Sequence, residues 1–243
     1  MTPLLRVVPL TLLPLLGAGN AAAQAPLDPA EVKPEVGFAA LDRATGMAEF
    51  GFGWLTLPGA EVCVERAAGC SEGDTSFEID AWQLIRSSRR LALGAGILLA
   101  LIPTTDAPSD PAGIERDHSR RYLTIEGTLR YYPYVGERVE WWAGVTGGLV
   151  VVSDQFTVSE AGDERALLGP RGTTIRTEGG SIGVAGGPVL ALTQYWTAGA
   201  TLRYANWFLP DTPATDTLGS QASLTGRNTL FSLGLNIAFR MPL

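Results

Sequence analysis

Three residue types are almost missing from this chain. Lysine occurs only at Lys33, histidine only at His118, and cysteine only at Cys63 and Cys70. A single histidine leaves little for a histidine-rich metal centre. The spacing Cys63-x6-Cys70 without histidines is poor for zinc, so no metal and no cofactor is expected. A formal charge of -7 lacks the basic patch that nucleic acid requires. Beyond the N-terminus no apolar run approaches the ~18 residues of a membrane-spanning helix. What the chain has instead is glycine, 29 residues of it, much of it inside apolar segments rather than between them.

The N-terminus reads as an export signal. Arg6 supplies the positive start, Val7 to Leu16 a short apolar stretch, and Gly17 to Ala25 a small-residue region. Cleavage is expected after Ala23, making residues 1–23 a signal peptide. A Pro-rich lead-in on the periplasmic side follows over residues 24–45 (Pro26, Pro29, Pro34), and the folded part occupies 46–243. Exported chains fold where disulfides persist, so Cys63 and Cys70 are expected to pair and staple a short loop.

The folded part alternates with period two, the signature of strands with two unlike faces. The clearest case is Asn228 to Arg240. Phe231, Leu233, Leu235, Ile237 and Phe239 share one face; Ser232, Gly234, Asn236, Ala238 and Arg240 share the other. Seven earlier segments behave alike: Met47–Leu57, Ser76–Arg86, Leu91–Ile102, Arg121–Tyr132, Glu140–Ser153, Glu178–Leu192 and Thr197–Leu209. Their charges, Glu49, Glu78, Asp80, Arg86, Glu126, Arg130, Glu178, Arg203 and Arg240, are expected on the face that carries the glycines. In a soluble barrel such as a lipocalin the apolar face would point inward. Here the larger, uncharged face is suited to lipid, and charges could only point inward and pair.

Connections alternate in length. Ser87–Arg90, Pro133–Val139 and Thr193–Trp196 are short. Pro58–Thr75, Pro103–Arg120, Asp154–Thr177 and Pro210–Arg227 are long and polar. Short turns at one end and long loops at the other predict an all-β, up-and-down antiparallel transmembrane β-barrel of eight strands, with both termini on the short-turn side and the long loops outside. Aromatics near strand ends (Trp54, Trp207, Phe208 at one; Tyr131, Tyr132, Tyr134, Trp141, Tyr195, Trp196, Phe239 at the other) are expected to form interfacial girdles.

The alternating last strand ending on an aromatic, the signal peptide and the loop asymmetry together resemble the small eight-stranded bacterial outer-membrane β-barrel superfamily. The resemblance implies residence in the outer membrane of a Gram-negative bacterium, among its lipid and lipopolysaccharide. It also implies insertion by the barrel assembly machinery, which recognises a terminal aromatic. Here the chain runs on past Phe239 through Arg240-Met241-Pro242-Leu243, which displaces that signal. Members of the superfamily stabilise envelopes, mediate adhesion, form narrow pores or act on lipopolysaccharide and peptides.

Each role makes its own demand on residues. A lipid A-modifying enzyme would need a nucleophile with a histidine base. His118 is expected as a solvated loop residue, and its neighbours Asp117 and Ser119 are not well placed for a relay through it. A narrow small-solute pore would need an open lumen, whereas eight strands leave room only for side chains. Glu78, Asp80, Arg86, Glu126, Arg130 and Arg203 are expected as an interior charge network which, with Trp82 and Trp142, plugs it. A non-enzymatic role remains, in envelope structure or surface interaction with a ligand met at the extracellular loops. The Asp154–Thr177 connection is expected to prolong its hairpin beyond the membrane as an exposed edge.

Overall fold

The computed structural model describes residues 44–61, 72–102, 116–158, 172–216 and 221–243. The signal peptide, nearly all of the lead-in, and the Cys63/Cys70 pair lie outside them. Eight strands follow in order: β1 (Thr45–Glu61), β2 (Glu72–Ser88), β3 (Leu91–Ile102), β4 (Arg116–Val135), β5 (Val139–Val158), β6 (Gly172–Ala191), β7 (Trp196–Phe208) and β8 (Arg227–Pro242). Each pairs antiparallel with its neighbour in sequence, and β1 closes the ring against β8 from Thr45↔Pro242 to Thr56↔Phe231. Among the described residues there is no helix. β1 begins at Thr45, one residue inside the expected lead-in.

Alternation sorts the side chains as the pattern requires. Leu93, Leu149 and Leu233, each about 60% exposed, stand on the outer wall with Phe50, Trp54, Ile125 and Val184. Glu49, Arg130, Ser232 and Arg240 are buried inside. This inside-out arrangement suits hydrocarbon and excludes the lipocalin alternative, whose outer wall would be polar.

Three details bear on expectation: the prolonged β5–β6 hairpin meets it, while the length of β4 and the two details that follow depart from it. β4, β5 and β6 are 20 residues each, against 12 in β3 and 13 in β7. About 9–11 tilted residues suffice to cross a bilayer, so this trio forms a tall wall beside a low one. Its outer ends escape the apolar pattern because the outward face there is polar, while inward Phe156 and Ile175 pack with Ala222. Second, Glu178 is exposed on the outer wall and not among the inward charges. Ile175 and Thr177 take the inward positions, and a strand cannot turn neighbours the same way. Third, Trp207 and Tyr132 are fully enclosed by the barrel and belong to no girdle.

Glycine meets two structural needs. Gly53 and Gly234 lie opposite one another across the β1–β8 seam, and a Cβ on Gly53 would collide with β8 backbone. Gly226 has φ +63°, the left-handed conformation that ends the β7–β8 connection.

Candidate functional site

The lumen is built in layers. At the short-turn end Arg86, Glu140 and Arg240 meet. Arg86 Nη1 donates to both Glu140 oxygens at 3.0 and 2.8 Å, and Arg240 Nη2 donates to Oε1 at 2.6 Å. The Arg86 guanidinium lies 3.8 Å from the centre of the Tyr132 ring. One layer further, Arg130 grips Glu49 with two parallel bonds of 2.9 Å and stacks 4.0 Å from the Trp142 ring. Above it Arg203 pairs with Glu126, which also accepts from Ser181 Oγ at 2.7 Å, and Ser232 donates to Glu78. Pairing and hydrogen bonds make such charges tolerable in a membrane-embedded interior; Glu78 has the Ser232 hydroxyl but no ion pair among the described residues.

A different layer follows. Leu55, Leu57, Leu98, Val150, Val152, Trp207, Leu224 and Leu230 pack into one buried apolar cluster with Tyr122. Among the charges remains a cavity of about 30 Å3, lined by Glu78, Asp80, Arg130, Thr146 and Arg203 among others. That holds about one water, far short of a conduit.

Among the described residues, the chain itself enters the outer mouth. The β7–β8 connection leaves the wall at Leu209, whose N–H donates to Gly226 O at 2.8 Å, and turns Ala222, Ser223 and Leu224 inward. Ser223 is the latch. Its Oγ donates to Asp154 Oδ1 at 2.5 Å, its N–H donates to Oδ2 at 3.1 Å, and Arg120 Nε donates to its Oγ at 2.5 Å. Arg120 and the Tyr122 hydroxyl also donate to Asp74 Oδ2, at 2.5 and 2.6 Å. His118 Nε2 lies 2.8 Å from Asp154 Oδ1, its ring stacked on Phe156 at 4.6 Å.

This cluster stands above the lipid-facing belt, since the outward residues beside it, Arg121, Ser153 and Arg176, are polar. Burial by itself would raise the Asp154 value. Its hydrogen bonds with His118 and Ser223, with the charge of Arg120, outweigh that and hold it below the ordinary carboxylate range. Asp154 is therefore ionised and serves both donors. His118 is thus no solvated loop residue but a buried member of β4. The order of groups matters for chemistry. Ser223 and His118 both end on the same carboxylate oxygen, with the acid in the middle, whereas a serine nucleophile needs the imidazole between them.

Sequence reasoning named six interior residues. All six line the barrel, but the structure joins them otherwise than by strand proximity. Arg130 goes to Glu49, Arg86 to Glu140, and Arg203 to Glu126, so two of the three pairs use carboxylates from outside the six. Asp80 has no ion pair among the described residues and lies over Gly51. Glu140 was missed although strand parity puts it on the face of Trp142. Asp154 was missed because the expected loop began there. Nothing in the sequence marks Ser223.

No protein-family model matches the chain, and no curated protein matches it in sequence. Solved structures do match in shape. A major outer membrane protein from Thermus thermophilus superposes with a TM-score of 0.55 at 14% identity, over 82% of this chain and 99% of that one. Neisserial surface protein A superposes with a TM-score of 0.51 at 11% identity, over 81% and 97%. Likeness at such identities concerns the fold. The chain has the architecture of the small eight-stranded outer-membrane β-barrels, and its apolar outer wall and inward, mostly paired charges suit it to that membrane.

Proposed function

We propose that the protein is a closed, non-enzymatic barrel that serves envelope structure or surface interaction through its outer ends. One observation carries the reading: among the described residues, side chains and the β7–β8 connection fill the lumen apart from a small cavity. Ion pairs occupy the inner part, an apolar cluster the outer part, and the β7–β8 connection the mouth. A rigid plug of this kind has no use for conduction and leaves the tall β4–β6 wall as the part that can meet a partner. The acid-centred arrangement of Ser223, Asp154 and His118 favours the latch over the catalyst.

The test is made on the refolded full chain. In planar bilayers it is expected to give no steady conductance steps, and His118→Ala is expected to leave the lipid A composition of the host unchanged. Cells carrying the protein with the tips of β4–β6 shortened should lose detergent resistance or surface attachment while retaining the barrel. Steady ion-selective steps would make it a pore, and loss of a lipid A modification would make it an enzyme. Unaltered resistance and attachment in the shortened variant would remove the surface role.

A further inference from the structure

The outer wall carries an arrangement that the closed-lumen reading does not use. Arg121 of β4, Ser153 of β5 and Arg176 of β6 are directly paired across three adjacent strands. All three alternate with inward residues and so face outward; both arginines are exposed. The next row toward the outside, Ser119, Gln155 and Thr174, is again outward and again rich in hydrogen-bond donors. On the other side the apolar belt begins with Leu123 and Val151, followed by Ile125 and Leu149.

The charges here differ from those inside. Arg86, Arg120, Arg130, Arg203 and Arg240 all pair with carboxylates. Among the described residues, Arg121 and Arg176 have neither an ion pair nor a side-chain hydrogen bond. Strands ~4.8 Å apart put their backbones ~10 Å from one another, with only a serine between. That gap suits an oxyanion held by two guanidiniums and a hydroxyl. Glu178, beside Val151 and two residues from Arg176, leaves the trio with one net positive charge.

Further along the same three strands the wall is hollowed. Gly127 and Gly147 face outward directly opposite one another, and with Leu129, Val145, Val184 and Tyr204 they line a trough of about 610 Å3. A guanidinium pair at the edge of the hydrocarbon, and a hydrocarbon-lined trough beneath it, match the two ends of one molecule. We propose that the β4–β6 wall binds a phosphorylated lipid of the outer leaflet, its phosphate between Arg121 and Arg176 over Ser153 and an acyl chain toward the Gly127/Gly147 trough. Charge complementarity selects this occupant over a second barrel, which would bring its own unpaired arginines to the contact.

The test is native mass spectrometry of the full chain in non-ionic detergent, titrated with bis-phosphorylated lipid A. One bound lipid is expected. Arg121→Gln/Arg176→Gln should weaken it by about tenfold or more, whereas Arg89→Gln/Arg90→Gln, at the opposite end, should not. Glu178→Gln should strengthen it. The site is exposed, so an unchanged heat-modifiable mobility will show that the variants fold. Equal binding by the double variant, equal binding of phosphate-free lipid A, displacement by inorganic phosphate, or a second copy of the chain in place of lipid would each overturn the proposal. None of these outcomes bears on whether the lumen conducts.

Discussion

The two halves of the lumen solve one problem by different means. The inner half fills its space with charges arranged so that each guanidinium meets a carboxylate; the outer half fills its own with aliphatic and aromatic side chains. Both exclude a water column. The inner half is demanding, because desolvated charges need partners in correct geometry, and loss of one partner leaves the other stranded. The outer half is forgiving in kind, since any side chain of the right volume will do, but it loses contacts in proportion to what is removed. Specificity of register therefore resides in the first, and much of the packing energy in the second.

The largest effect should come from breaking the first half unevenly. Arg130→Ala strands Glu49 and should cost about 3–5 kcal/mol in urea titrations of the vesicle-embedded barrel. Arg130→Ala with Glu49→Gln should recover a substantial part of that loss. Equal losses in the single and double variants would show that the pair acts only as filler.

In the second half Leu55→Ala should cost about 3 kcal/mol, set by the cavity it leaves. Combined with Arg130→Ala its effect should simply add, since the two sit in separate layers. Strong coupling between them would dissolve the distinction. On the outer wall Leu233→Arg should cost about 2–4 kcal/mol near the middle of the bilayer; a neutral result in vesicles would deny that this face meets lipid. The smallest effect belongs to the mouth. Ser223→Ala removes bonds to Asp154 and Arg120 but leaves Leu224 in place, and about 1–2 kcal/mol should be lost. Hydrogen exchange should rise at residues 221–225 and not in β3.

Legibility in the sequence followed the solvent. β3 is bounded correctly at Leu91 and Ile102 because it is short and meets lipid over nearly its whole length, so alternation is unmistakable. β4 begins five residues before its expected start, at Arg116, because Arg116 to Arg120 is polar on either face and carries no contrast. The same blindness made His118 a loop residue and hid Asp154. Inward direction was readable for Glu78, Asp80, Arg86, Glu126, Arg130 and Arg203 from parity alone. Their partners were not, because pairing depends on how strands are offset around the ring, and no local pattern encodes that offset. Glu178 failed for a related reason: at the polar end of β6, company with glycines ceases to indicate the lumen.

The seam between β1 and β8 has a kinetic consequence. Twelve residue pairs join positions nearly two hundred apart in the chain, from Thr45↔Pro242 to Thr56↔Phe231. Until the last strand arrives, β1 is an unsatisfied edge and the inward charges have no enclosure, so a partly emerged chain gains little by entering the bilayer. Such long-range closure makes folding slow and cooperative, and it means that a chain truncated before β8 should fail outright rather than yield a smaller barrel. The alternation that defines the wall serves the unfolded traveller as well. By interrupting each apolar residue with a polar or small one, it keeps the strands from arresting as helices in the first membrane they cross.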